Sequence, residues 1–170
     1  MIIGHKVCLG PLLHADTPAV FNWLNTLALA YLNGPYRPTD QISFDGWLSS
    51  LGKDRSRVVF AIRSHGDLRL MGYVQVVNIH PVFRSGELGI LIGDERDRGK
   101  GCGLEAVRLM LGHCWNDLNL NRVTLYVYGD NPRAVHVYRK AGFEDEGRLR
   151  QAAYVDGQFV DVAVMGILRA

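Results

Sequence analysis

Between a stretch that alternates like a strand and a stretch with helical periodicity lies Arg98-Gly99-Lys100-Gly101-Cys102-Gly103. Glycines at this spacing let the chain turn sharply and present successive backbone N–H groups. A helix starting directly behind them adds its unpaired N–H groups and the positive end of its dipole. Together these form a seat for a phosphate or pyrophosphate. Neither common nucleotide signature is present. GxxxxGK[ST] is absent, since Lys100 is not followed by Ser or Thr, and GxGxxG fails because Leu104 stands where its last glycine belongs. The same six residues also suit a plain strand-to-helix connection that uses glycine for close packing, so the loop alone leaves both readings open.

The elements around the loop must position it. Residues 86–93 supply the strand before it, with Leu88, Ile90 and Ile92 on one face and Glu87, Gly89, Leu91 and Gly93 on the other. Glycine inside a strand marks close approach by a ligand or another backbone. Behind the loop, Leu104, Val107, Leu111, Cys114, Trp115 and Leu118 form one apolar helical stripe. Upstream, residues 2–9 predict a first strand. Asp16-Thr17-Pro18 opens a helix over 17–31, which Asn33-Gly34-Pro35 stops, and residues 43–51 predict a shorter second helix. Residues 58–63 and 69–79 are β-rich around the turn-like His65-Gly66-Asp67. Residues 122–128 predict a strand, Asn131-Pro132 opens a helix that Gly142 ends, and 143–155 and 158–168 predict two strands joined at Asp156-Gly157. The order β-α-α-β-β-β-α-β-α-β-β gives a mixed α/β fold, a mostly antiparallel sheet flanked by helices, as one domain over 1–170.

Composition excludes several classes. Hydrophobic residues are 48% and charged residues 21%, an ordinary globular balance. Nineteen Lys and Arg against seventeen Asp and Glu leave a net charge of +2, too weak to point to nucleic acid or a membrane surface as partner. Three cysteines without CxxC spacing argue against a disulfide framework, and six histidines without HExxH or paired spacing give no metal site. With no apolar run of about eighteen residues and no targeting segment visible, the expected location is the cytoplasm.

Arg98-Gly99-Lys100-Gly101-Cys102-Gly103 matches the acyl-coenzyme-A signature [QR]-x-x-G-x-[GA] of the GNAT superfamily of N-acetyltransferases. Asn131-Pro132-Arg133-Ala134, followed by Tyr138-Arg139-Lys140-Ala141-Gly142-Phe143, is similar to that family's second signature. Spacing and element order agree over essentially the whole chain, which most resembles the RimJ/RimL branch. The resemblance implies an acetyl-CoA-dependent transfer to a primary amine, either a small molecule or a peptide N-terminus. It implies that the loop from Arg98 to Gly103 holds the pyrophosphate and that Leu91, Ile92 and Gly93 pair with the pantetheine arm. Asn131 would contact the cofactor and Tyr138 would be the general acid. A homodimer is an assembly left open by the resemblance.

The chemistry asks for little beyond this. The incoming amine must lose a proton before it attacks the thioester, and the leaving sulfur benefits from a proton donor. Glu87, on the face of its strand with Gly89 and Leu91, is the candidate base, alongside an ordered water. Its ordinary alternative is a solvated glutamate. Cys102 sits in the loop, which faces the pyrophosphate, so it is not expected to be acylated. His80 ends a strand and is an alternative base, with a turn histidine as the plainer reading. The resemblance implies an acceptor pocket built from the two N-terminal helices and the hairpin at 150–160, with Tyr31, Tyr36, Arg37 and Trp47 as candidates there. The carboxylates of residues 10–57 are balanced by Arg and Lys, which disfavours a polycationic acceptor. The rival reading from another class is a non-catalytic acyl-CoA sensor, and a further rival is a nucleotide-phosphate module using the same loop.

Overall fold

The computed structural model describes all residues except 33, 34 and 130. The predicted helix stop at Asn33-Gly34 therefore lies outside the described residues. The strands are β1 (Ile2–Ile3), β2 (Val7–Gly10), β3 (Val58–Ser64), β4 (Leu70–His80), β5 (Ser85–Ile92), β6 (Arg122–Tyr128), β7 (Glu144–Val155) and β8 (Gln158–Leu168). The helices are α1 (Thr17–Leu24), α2 (Leu27–Ala30), α3 (Gln41–Ser50), α4 (Cys102–Asn116) and α5 (Pro132–Ala141). One eight-stranded sheet runs in the order β1-β2-β3-β4-β5-β6-β8-β7. Every neighbouring pair is antiparallel except β5 and β6. This is the mixed, mostly antiparallel sheet flanked by helices that the sequence predicts.

The parallel pair is short. Only Ser85, Gly86 and Glu87 are matched with Arg122, Val123 and Thr124, after which the strands part. Helix α4 connects the two halves of the sheet and lies across one face. Its Ala106, Val107, Met110, Leu111 and Cys114 are buried against Val7, Leu9, Val74, Val76 and Leu88 from one half and Val123, Leu125, Val127 and Met165 from the other. Val107, Leu111 and Cys114 belong to the apolar stripe read from the sequence and Leu88, Val123, Leu125 and Val127 to its alternating strand positions, whereas Ala106 and Met110 join the buried face and Trp115 and Leu118 are only partly buried. Burial of this set is the main driving force for the fold.

Three predicted elements come out differently. The strand over 2–9 is two strands folded on each other, because Gly4 donates its N–H to the Val7 carbonyl at 2.9 Å and the chain turns at residues 4–6. The helix over 17–31 is broken at Asn25. The Asn25 amide donates to the carbonyls of Phe21 and Thr39 at 3.0 and 3.1 Å and accepts the Thr39 N–H at 2.9 Å, so it ends α1 and ties the next segment to it. The second helix starts at Gln41, two residues earlier than predicted, because Asp40 caps it by accepting the Ser43 N–H at 2.9 Å. The Asp156-Gly157 turn forms as predicted, both residues at positive φ (50° and 76°).

Candidate active site

Where β5 and β6 part, a cleft of about 760 Å³ opens, floored by the glycine loop and walled by α5. The peptide groups on β5 alternate in direction. Gly93 donates to the Met71 carbonyl of β4 at 2.9 Å. By alternation Leu91 and Gly89 also face β4, and Leu88, Ile90 and Ile92 face the cleft. The Ile92 carbonyl is already engaged by the Arg98 guanidinium, at 3.0 and 3.2 Å. The last pair of the β5–β6 ladder, Glu87 with Thr124, uses the Leu88 N–H, which leaves the Leu88 carbonyl and the Ile90 N–H and carbonyl turned into the cleft. An extended molecule lying there would find the hydrogen-bond partners that β6 no longer supplies.

The glycine loop is held from several sides. Gly99 and Gly101 adopt φ of +75° and +83°, and Gly101 is the N-cap residue of α4. Asp97, just before the loop and only 5% exposed, takes both ends of the Arg69 guanidinium at 2.8 and 2.9 Å. That fork holds the Asp97 carboxyl below its usual range despite its burial. On the other side Glu105, in the first turn of α4, accepts the N–H groups of His5, Lys6 and Val7 at 3.0, 2.7 and 2.8 Å. Lys6 in turn donates its ammonium to the Lys100 carbonyl at 2.7 Å. Burial pushes the Glu105 carboxyl up, but the three N–H groups and the nearby His5 outweigh it and hold it low.

Tyr138 lines the cleft from α5, packed edge-on against Phe143 with ring centroids 5.9 Å apart. Burial pushes its phenol up to about 12. Among the described residues no side chain or backbone group hydrogen-bonds its hydroxyl. Glu87 lines the opposite wall and accepts the Asn78 amide at 3.1 Å. Tyr73 stands on the same sheet face as Gln75 and Val77, paired with Leu91, and burial pushes its phenol to about 12 as well.

The structure brings Tyr138, Glu87, Leu91, Ile92, Arg98, Gly99, Gly101, Gly103 and Asn131 to one cleft. It departs from expectation at several of the others. Gly93 leaves no open room: the indole of Trp23 occupies the space its missing side chain vacates. Arg98 braces the end of β5 instead of reaching outward. Lys100 and Cys102 are not on the cleft wall. Cys102 is 7% exposed and part of the core, and burial pushes its thiol up, against any nucleophilic role. The Asn131 side chain caps α5 by accepting the Ala134 N–H at 3.0 Å. Tyr31, Tyr36 and Arg37 do not line the cleft, whereas their neighbour Leu32 does. Trp47 packs on Phe44 with centroids 5.6 Å apart. His80 is the turn residue expected, stacked on Phe83 and accepting its N–H at 3.1 Å. Among the described residues no group of three or more His, Cys, Asp or Glu is placed to hold a metal ion.

Sequence reasoning missed Tyr73, Trp23, Arg69, Lys6 and Glu105. Tyr73 carried a usable signal, since it alternates with Gln75 and Val77 on the face opposite the core residues Val74 and Val76. The other four act through partners far along the chain, which no local pattern displays.

The chain matches the family model described as acetyltransferase (GNAT) domain over residues 6–144. It is 30% identical over 170 residues to the spermidine N(1)-acetyltransferase of Escherichia coli strain K12, covering 98% of this chain and 88% of that protein. It is 36% identical to the Vibrio cholerae spermidine N(1)-acetyltransferase over 101 residues, a match spanning 59% of this chain and 58% of that protein. The crystal structure of the Vibrio cholerae spermidine N-acetyltransferase in complex with CoA and spermine superposes with a TM-score of 0.89 at 26% identity, covering 96% and 95% of the two chains.

Proposed function

Since this chain belongs to the GNAT family and is an acetyl-CoA-dependent N-acetyltransferase, we propose that it acetylates a small primary amine by direct attack in a ternary complex. Tyr138 is the proton donor, Glu87 the proton acceptor, and residues 1–170 form one domain. The cleft fits the cofactor. The N–H groups of the loop from Gly99 to Gly103 suit its diphosphate, and the free Leu88 carbonyl and Ile90 peptide groups suit an extended pantetheine arm. Acetyl-CoA supplies the activated acyl group. The chain supplies the rest by orienting both partners and moving protons.

Tyr138 carries the reading. A phenol pushed to about 12 stays protonated at neutral pH, and its hydroxyl has no protein partner among the described residues, so it is a donor available to a leaving sulfur. A module that only binds acyl-CoA needs no such group. Glu87 receives the ammonium of the acceptor by a charge-assisted contact and takes up its proton, directly or through a water. The N–H group of Ile90 polarises a carbonyl lying between the parted strands. The three free, buried cysteines suit a reducing compartment such as the cytoplasm.

The acceptor follows from the carboxylates. Asp16 is buried in an ion pair with Arg63 at 2.5 Å, Asp40 caps α3, Asp45 accepts the Gln41 amide at 2.8 Å, and Asp54 holds Ser56 and Arg57. Asp97 is engaged by Arg69. Among the described residues lining the cleft, Glu87 is the carboxylate not paired with a cation, and it seats one ammonium. A monoamine or amino sugar therefore fits this chain better than an extended polyamine. The spermidine-acetylating relatives favour the second reading, a polyamine acceptor. Thiol release from acetyl-CoA is measured against spermidine, spermine, simple monoamines, amino sugars, amino acids and peptides. The proposal expects kcat/KM for the best monoamine or amino sugar to equal or exceed that for spermidine. A preference for spermidine of about a hundredfold, near 3 kcal/mol, returns the acceptor to the polyamine class. No thiol release with any amine leaves a binding module.

A further inference from the structure

The turn between β1 and β2 reaches the glycine loop at one atom pair. The Lys6 ammonium donates to the Lys100 carbonyl at 2.7 Å and lies 3.2 Å from where a Cβ on Gly101 would sit. A peptide group is planar and trans, so its C=O and N–H point in opposite directions. Holding the Lys100 carbonyl on the Lys6 side therefore aims the Gly101 N–H the other way. Gly101, at φ +83° and ψ 0°, has no side chain to fix that plane.

The support for Lys6 is a closed circuit of contacts. Glu105 takes the N–H groups of His5, Lys6 and Val7, and its own N–H donates to the Gly101 carbonyl at 3.1 Å. The turn that carries Lys6 is thus pinned to the helix that begins at the loop. A Cβ on Gly4 would meet the Glu105 carboxyl at 2.9 Å, so the turn and the helix are in close contact there.

We propose that Lys6, held by Glu105, is a positioning residue for acetyl-CoA: it locks the Lys100–Gly101 peptide so that the Gly101 N–H faces the diphosphate, and it adds a positive charge beside the loop. This rests on the assignment of the loop to the cofactor's diphosphate. Such a lock acts on the diphosphate and not on the pantetheine arm, which lies along β5.

CoA, and pantetheine as the fragment without a diphosphate, are titrated into wild type, Lys6→Met and Lys6→Arg, followed by amide NMR shifts. Lys6 is exposed, so both variants are expected to fold, which melting curves check. The expected result is a roughly tenfold weaker Kd for CoA in Lys6→Met, the scale of one charge-assisted contact. Pantetheine affinity stays unchanged, and Lys6→Arg regains most of the loss. The CoA affinity of wild type also falls more steeply with salt than that of Lys6→Met. An unchanged CoA affinity in Lys6→Met overturns the proposal, as does an equal loss for CoA and pantetheine, which marks a general distortion. Wild type that binds pantetheine but gains nothing from the diphosphate overturns the assignment of the loop itself, and Lys6 with it.

Discussion

Lys6 and Arg69 reach the glycine loop from elements far apart in sequence and join Asp97, Arg98 and Glu105 beside it. The N-terminal helices, where acceptor contacts were expected from the sequence, are fastened differently. Their polar groups close contacts chiefly within the segment, such as Asn25 to Thr39 and Asp40 to Ser43, with the Asp16–Arg63 pair as the tie to the sheet. The donor side is over-determined in geometry and the acceptor side in packing. A cofactor with a fixed diphosphate rewards the first arrangement, whereas an acceptor that varies between relatives allows the second.

The largest effect is expected where the donor side leaves least freedom. Gly101→Val places a branched side chain at φ +83° and against the Lys6 ammonium. Strain of this kind costs on the order of 1–3 kcal/mol, and the new side chain pushes the Lys6 ammonium off the Lys100 carbonyl, so the loop loses both the backbone angle and the contact that set its N–H groups. CoA binding should fall below detection in a protein that still melts cooperatively. Retained binding in calorimetry would break the contrast, since the loop would then not be the determined half.

Next comes Tyr138→Phe. It keeps the ring against Phe143 and removes the proton donor. We expect CoA affinity to stay within a few-fold and kcat to fall by roughly 10²–10⁴, the scale of a lost general acid. Because burial raises the phenol to about 12, the donor form persists throughout the neutral and mildly alkaline range. A descending alkaline limb of wild-type kcat is therefore displaced toward 12 and does not appear near the ordinary value of 10. Near-normal turnover in the Phe variant would assign Tyr138 to packing alone.

Smaller, and aimed at the acceptor side, is Glu87→Gln. Turnover should drop by about ten- to a hundredfold at neutral pH and recover partly as pH rises, because free amine becomes more abundant without help. The measurement is the pH profile of kcat/KM for both proteins with one good acceptor. Superimposable profiles would place the base elsewhere, on a water, and leave the acceptor side without a charged contact to the substrate.

Local patterns in the sequence were enough to locate β3 to β8, α4, α5 and the Asp156-Gly157 turn, because alternation, helical stripes and caps are properties of neighbouring residues. They also located the loop and the strand face of Glu87, whereas Tyr138 stood out only through the resemblance to the GNAT signature. The break at residues 4–6 was not legible, since its cause is Glu105, about a hundred positions away. The break at Asn25 depends on Thr39 in the same way. The strand face of Glu87, Gly89, Leu91 and Gly93 was read correctly, but which peptide groups lie free depends on the pairing with β4 and β6, and this shifts the free partners to the Leu88 carbonyl and Ile90. Trp23 filling the space at Gly93 and the absence of Tyr31, Tyr36 and Arg37 from the cleft belong to tertiary packing, where single-residue type says little about direction.

The three-pair seam between β5 and β6 has a mechanical meaning. A sheet with continuous ladders is stiff in its own plane, and here that stiffness is interrupted along one line. The two half-sheets resemble the arms of tongs, with a pivot at Gly86 and Val123 and with the apolar core under α4 as the spring. At the pivot, a Cβ on Gly86 would meet the Val76 methyl at 2.5 Å and Leu120 at 3.4 Å. The seam therefore closes tightly at Gly86, one residue before Glu87, and a side chain there would have to push the two half-sheets apart.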